Sequence, residues 1–357
     1  MERRTVRLPE TCIDGEMIQP GPRNLITDVD GLSIGNAVDE RARTGVTVVL
    51  PRDGAVASVD VRGAAPGTRE TDLLDPTCHV ERIDGICLSG GSAHGLGACD
   101  GVAGWLHERD RGFNVGPWHI PIVPGAIIYD LGIGGERDRG RYQSYGDLAR
   151  AACDGAAADF SLGNVGAGLG ACAGRLKGGL GSASAIAEDG LQVAALVVAN
   201  PVGAVVMPGS GTLWSWALEQ NGEMGHQHPP GPLRGVEEAL PLEARIGGNT
   251  TLAVVASNAT LDKAQAKRVA MMAHDGMARA IRPAHTPFDG DIVFALSTTR
   301  MALPQPAQRS VARIGAIAAD CLARAIGRAA FAAEALGDFP SYRQAHADAF
   351  ADGGKSG

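Results

Sequence analysis

The sequence predicts an α+β fold in which layered sheets are covered by helices. Short strand-like runs cluster in the first two thirds of the 357 residues, and long helical runs lie at the end. Hydrophobic residues make up 45% of the chain, enough for a sizeable core. Glycine, with 50 residues, stands at about twice its usual ~7% share and has no collagen-like period. It therefore implies tight turns and close backbone contacts.

Residues 1–24 are polar and carry Pro9, Pro20 and Pro22, the pattern of an extended arm. Strands are expected at Leu32–Ile34, Gly45–Leu50, Ala55–Val61 and Gly85–Leu88, where β-branched and apolar residues concentrate. Leu96–His107 reads as a small-residue helix, and Pro121–Leu131 as a strand. A helix over Tyr145–Ala156 precedes a glycine-rich bend at Gly163–Gly181. Ala183–Ala187 and Leu191–Ala199 flank Glu188-Asp189-Gly190, a hairpin signal. Asn221–Glu243, with four prolines, is the least regular region. Leu252–Ala256 is a short buried-strand run, followed by a helix over Leu261–Ile281 with Thr260 as candidate cap. The strand Ile292–Ser297 and an alanine-rich helix over Ala307–Leu336 complete one domain spanning 25–336. The tail 337–357 is polar and expected to fray.

The net charge of −8 and the lack of a basic run argue against a nucleic-acid partner. Seven cysteines without a Cys-x-x-Cys pair favour reduced thiols and a cytoplasmic protein. Met1-Glu2-Arg3-Arg4 is followed by no apolar core, so no signal peptide is expected. The longest apolar stretch, Val193–Met207, is interrupted by Asn200-Pro201 and is too short for a membrane span.

The chemistry concentrates at Gly247-Gly248-Asn249-Thr250-Thr251, directly before the strand at Leu252. The glycines free the backbone. A small amide residue then precedes a hydroxyl at the strand's edge, which suits a chain that cuts itself. The Thr250 hydroxyl would attack the Asn249 carbonyl, and water would hydrolyse the resulting ester. The new N-terminal threonine would combine nucleophile and base, because an α-amine has a pKa of roughly 7.7–8.0. The same residues also suit an ordinary turn into a strand.

Other segments are weaker. Gly90-Gly91-Ser92-Ala93-His94 resembles a nucleophile turn, but the last glycine of Gly-x-Ser-x-Gly is replaced by His94. A turn with Ser92 capping the next helix is the plainer reading. Gly166-Ala167-Gly168-Leu169-Gly170-Ala171 imitates a dinucleotide fingerprint, yet glycines after it leave no room for a helix. Close passage of another backbone explains it better. Lys177 is the lone lysine in that Gly/Ala-rich stretch, where a solvated charge would be the usual outcome. His226-Gln227-His228 lacks a third ligand, so neither metal nor cofactor is expected. Asp289-Gly290-Asp291 offers a carboxylate pair at a strand end, and Asn200 an amide for a developing oxyanion.

Seven of these segments occur together in one order: Gly85–Ser92, Ile128-Tyr129-Asp130, Asn164–Gly168, Leu176–Gly179, Ala199–Gly203, Gly248–Thr251 and Asp289–Asp291. In this the chain resembles the DmpA-type peptidases over about Asn24–Leu336. That family includes L-aminopeptidase/D-esterases, β-peptidyl aminopeptidases and the 6-aminohexanoate (nylon) oligomer endohydrolase. The resemblance implies a four-layer αββα sandwich like that of N-terminal-nucleophile hydrolases. It also implies self-cleavage at Asn249–Thr250 into 1–249 and 250–357, and a homotetramer of cleaved protomers. By the same resemblance Thr250 is the nucleophile, Asn200 an oxyanion donor, Lys177, Asp289 and Asp291 polar neighbours, and Tyr129 lines the site for a small amide or peptide substrate. Two positions depart from the aminopeptidase branch, which has serine at Thr250 and glutamate at Ile127. Both lean toward the oligomer hydrolase.

Overall fold

The structure, a computed structural model, describes residues 18–136, 144–232 and 249–351. Gly247 and Gly248, most of the expected arm and the last six residues of the tail lie outside these. In chain order the strands are β1 (Ile18–Gln19), β2 (Leu32–Asp39), β3 (Thr44–Pro51), β4 (Ala55–Val61), β5 (Thr68–Arg69), β6 (Arg82–Ile83), β7 (Ile86–Ser89), β8 (Phe113–Val115), β9 (Trp118–Ile120), β10 (Gly125–Ile127), β11 (Cys172–Ala173), β12 (Leu176–Lys177), β13 (Gly179–Ala187), β14 (Gln192–Ala199), β15 (Leu252–Ala259) and β16 (Ile292–Met301). The helices are α1 (Ala98–His107), α2 (Tyr145–Asp154), α3 (Lys263–Ala280), α4 (Ala307–Ala332) and α5 (Tyr342–Ala345).

The strands form a seven-stranded sheet in the order β1-β13-β14-β15-β16-β4-β6 and a five-stranded sheet in the order β2-β3-β7-β10-β5. Helices α3 and α4 cover the first sheet, and α1 and α2 the second. Three apolar cores fill the three interfaces of these four layers. Ile34, Val49, Leu196, Val254 and Phe294 lie between the sheets. Val197, Val255, Ala270 and Leu322 lie beneath α3 and α4. Val48, Cys87, Val102 and Ala149 lie beneath α1 and α2. The αββα expectation holds. Strand β15 shows why: Leu252, Val254 and Ala256 point into the inter-sheet core, while Ala253 and Val255 point to the helices. A strand buried on both faces reads as a continuous apolar run.

Local differences have identifiable causes. Helix α3 starts at Lys263 with Asp262, not Thr260, as its cap. The Asp262 carboxylate accepts the Gln265 N–H at 2.8 Å and the Gln265 side chain accepts the Asp262 N–H at 3.0 Å, a reciprocal pair that threonine at 260 could not make. Ser92 opens a 3-10 turn without capping it, with Gly91 ahead of it at φ 86°. Only Gly125–Ile127 of the expected strand at 121–131 is extended in the sheet. In the glycine-rich bend, a Cβ on Gly168 would stand 2.2 Å from the Leu180 nitrogen, so the close-passage reading is correct.

The expectation of a frayed tail is corrected for residues 337–351. Tyr342 is fully buried and its hydroxyl donates to Gln227 Oε1 at 2.9 Å. The Pro340 carbonyl accepts the Lys177 N–H, and Phe350 packs edge-on against Phe331. Polar composition concealed two aromatic anchors.

Candidate active site

Strand pairing brings distant residues to one end of the seven-stranded sheet. The register sets Gly179 opposite Ala199, Val198 opposite Leu252, and Leu252 beside Ile292. Lys177 just before β13, Asn200 just after β14, Thr250 just before β15 and Asp289–Asp291 just before β16 therefore meet at the same sheet end.

Thr250 is buried there. Its hydroxyl donates to the Asn249 carbonyl oxygen at 2.5 Å, and its N–H donates to the Asn200 main-chain carbonyl at 2.8 Å. The Asn249 oxygen also accepts the Gly290 N–H at 3.1 Å. Both aspartates are fully buried and saturated with donors. Asp289 Oδ1 accepts the Val202 N–H at 3.0 Å, and Oδ2 accepts the Thr286 N–H and hydroxyl at 3.1 and 2.6 Å. Asp291 Oδ1 accepts the Thr251 N–H at 2.8 Å, and Oδ2 accepts the His285 N–H at 3.0 Å and lies 2.8 Å from His285 Nδ1. Burial first, and the neighbouring Asp291 carboxylate second, push the Asp289 carboxyl above its ordinary range.

Lys177 is fully buried, unlike a surface lysine. Its ammonium donates to the carbonyls of Gly168, Ala171 and Gly178 at 3.0, 2.8 and 2.8 Å. Desolvation brings its pKa down to about 8. Its protons are thus committed to main-chain carbonyls. Nearby, Asn200 Oδ1 accepts the Cys172 N–H at 2.8 Å and Nδ2 donates to the Tyr129 carbonyl at 3.4 Å. Burial pushes the Cys172 thiol up to about 12.

The second sheet supplies Ile127 and Tyr129 from the end of β10. Ile127 is buried against Gly67, where a Cβ would come within 2.5 Å of its Cδ1, and Tyr129 is half-buried. Gly63–Gly67 connects Ile127 to the threonine. The Gly67 carbonyl accepts the Ile127 N–H, and the Asp289 carbonyl accepts the Ala65 N–H at 2.9 Å. Three acidic residues, Asp130, Glu136 and Asp138, follow Tyr129 in the sequence, and a carboxylate is the group that pairs with a substrate amine. Asp130 is buried and accepts the Gly91 N–H and the Thr44 hydroxyl. Glu136 pairs with Arg41 at 2.8 Å on the exposed surface. Asp138 lies outside the described residues. Ser92 sits at the end of β7, its N–H donated to the Ile128 carbonyl.

Sequence reasoning missed His285 and Thr286, which hold the two aspartates, as well as Ala65 and Cys172. His285 and Thr286 stand close ahead of Asp289 in an irregular loop with no periodicity to mark them. Ala65 and Cys172 contribute main-chain groups, for which side-chain identity carries no signal. At 226–228 it is Gln227, between the two histidines, that points inward to the Leu213 N–H and the Tyr342 hydroxyl. Among the described residues no group of three or more His, Cys, Asp or Glu could hold a metal ion, and no helix is long and apolar enough to cross a membrane.

The profile of peptidase family S58 matches residues 24–342. An uncharacterised aminopeptidase of Mycobacterium bovis is 44% identical over 349 residues, covering 92% of this chain and 99% of its own. A 6-aminohexanoate-oligomer endohydrolase of Kocuria sp. is 32% identical over 328 residues, covering 87% of each chain. Among solved structures, a Burkholderia sp. beta-aminopeptidase superposes with a TM-score of 0.70 at 23% identity, covering 96% of this chain and 98% of its own. The L-aminopeptidase D-Ala-esterase/amidase of Ochrobactrum anthropi, described as a variant of the Ntn-hydrolase fold, gives 0.63 at 23% identity over 90% of each chain. At that identity the two structures speak for the fold, which is of the N-terminal-nucleophile-hydrolase type.

Proposed function

The chain belongs to peptidase family S58, and we propose that it is a self-processing amide hydrolase whose nucleophile is Thr250 once it becomes an N-terminal residue. The observation that carries this is the Asn249–Thr250 peptide itself. Its own hydroxyl lies 2.5 Å from its carbonyl oxygen, and it is wedged between Asn200 and Gly290. After cleavage the free amine beside the hydroxyl takes its proton during attack on a substrate carbonyl. Asn200 supplies an amide to the oxyanion, while Lys177, Asp289 and Asp291 keep the site polar and positioned. The experiment is an intact-mass spectrum of wild type and Thr250→Ala. Wild type is expected as two fragments, the second running from Thr250 to Gly357, and the variant as one inactive chain. An active wild-type chain that stays whole overturns the reading.

For the substrate, Ile127 is the informative position. An apolar residue there favours a methylene chain, at about 0.8 kcal/mol per buried CH₂. Linear ω-amino-acid oligomers such as those of 6-aminohexanoate are expected to be cut, internal bonds included, and amino-acid p-nitroanilides to be poorer substrates. A second reading, an aminopeptidase, draws on the 44% identity to relatives bearing that name. Comparing the anilides, an oligomer and an amine-blocked oligomer at equal concentration separates the two. Fast anilide release with an intact blocked oligomer selects the aminopeptidase.

A further inference from the structure

Self-cleavage and substrate turnover develop negative charge on different oxygens. In self-cleavage the charge appears on the Asn249 carbonyl oxygen. That oxygen accepts the Gly290 N–H at 3.1 Å, and the nitrogen of the same peptide bond donates to the Asn200 carbonyl at 2.8 Å. The scissile peptide is thus held at both ends by the segments that flank β15 on either side. The Asn200 side chain is engaged elsewhere, with the Cys172 N–H and the Tyr129 carbonyl.

Gly290 cannot swing away. The carboxylates on both sides of it are bound by Val202, Thr286, Thr251 and His285. The carbonyls of Asp289 and Asp291 are bound by the amides of Ala65, Arg62 and Gly63. Close contact at this position also requires glycine. A Cβ there would stand 2.8 Å from Thr250 Oγ1 and 2.6 Å from the Ala65 carbonyl oxygen.

We propose that the Gly290 backbone N–H is the oxyanion donor of the chain-cleavage step, separate from the Asn200 amide that serves substrate hydrolysis. The inference rests on the self-processing reading. Thr250 Oγ1 forms a bond to the Asn249 carbonyl carbon, and Gly290 holds the developing oxyanion. The C–N bond then breaks, the hydroxyl proton passes to the Thr250 nitrogen, and an ester remains. Water hydrolyses the ester to the Asn249 carboxylic acid and restores the Thr250 hydroxyl. A preorganised donor at such a distance contributes on the order of 10²–10³ in rate.

The test replaces Gly290 by glycolate in the full chain during cell-free translation, which exchanges only the N–H for an oxygen. Circular dichroism follows folding, and intact mass distinguishes a cut at 249–250 from hydrolysis of the new ester. Self-cleavage slowed by roughly 10²–10³ in a folded chain supports the proposal. A rate equal to wild type overturns it. If wild type itself never cuts, the self-processing reading fails instead. Should the glycolate chain not fold, amide hydrogen exchange in the uncut Thr250→Ala chain decides. Strong protection at Gly290 supports the hydrogen bond, and exchange at the rate of an open amide overturns it.

Discussion

Lys177 carries a pH signature that follows from its carbonyl cage. In the unfolded chain a lysine keeps its proton up to about 10.5, whereas the folded site releases it at about 8. Between those values the unfolded state binds more protons, so stability rises with pH over that window. Below about 8 the full burial cost is present. Denaturant midpoints of Thr250→Ala should therefore climb between pH 8 and 10.5, and those of the double variant carrying Lys177→Met should not. An equal climb in both removes Lys177 as the cause. Asn200 is best tested with Asn200→Asp, which keeps the acceptor for the Cys172 N–H and deletes the Nδ2 donor. We expect kcat to fall by roughly 10²–10³ in properly cleaved protein. Asn200→Ala would add a folding cost of about 0.5–1.5 kcal/mol, because the half-buried Cys172 N–H loses its partner. An unchanged kcat in Asn200→Asp excludes the oxyanion role. The sequence marked both residues, Lys177 as the lone charge among Gly and Ala and Asn200 as the polar end of an apolar strand. It could not mark the cage, since Gly168 and Ala171 contribute only carbonyls.

At the scale of elements, β13 to β16 were legible because each is an apolar run bounded by turn residues. Their register was not, since it depends on which faces meet. The cap of α3 shows the limit on a small scale. Thr260 and Asp262 are both competent caps by composition. Tertiary structure decided between them by giving the Thr260 N–H to the Met301 carbonyl at the end of the β15–β16 pairing. Asp262→Ala should cost about 0.5–2 kcal/mol of stability, and Thr260→Ala much less. Thermal melts of the two variants check this, and equal losses would return the cap to Thr260.

Across the whole molecule, the proposed cut separates pieces that interlock. The segment after Thr250 supplies β15 and β16 to the interior of the seven-stranded sheet, paired outward to β14 and β4, which precede the cut. It also supplies α3 and α4. Arg324 in α4 is fully buried, and its guanidinium bonds Glu223 at 2.6 Å, the Ser184 carbonyl at 2.8 Å and Asn24 Oδ1 at 2.9 Å, all on the other fragment. Removing one partner of such a buried pair costs about 3–5 kcal/mol. Cleaved protein should therefore elute as one particle holding both fragments and part only in denaturant. Arg324→Met should lower the denaturant concentration at which they part. Fragments that separate in plain buffer would contradict the interlock. Light scattering on the cleaved protein tests the homotetramer that we propose from the family resemblance.

The sequence by itself determined the α+β class, the order of the longer strands and helices, the family, and the short list of polar residues placed at strand ends. Those follow from local periodicity and from motifs readable a few residues at a time. Only the tertiary structure decided that Thr250, Asn200, Lys177 and the two aspartates share one sheet end, because that is a consequence of strand register between segments far apart in the chain. It also decided that His285 and Thr286 hold the aspartates and that the Gly290 amide faces the Asn249 carbonyl. A main-chain N–H is common to nearly every residue, so its direction is set by the fold around it and by no feature of the residue's own identity.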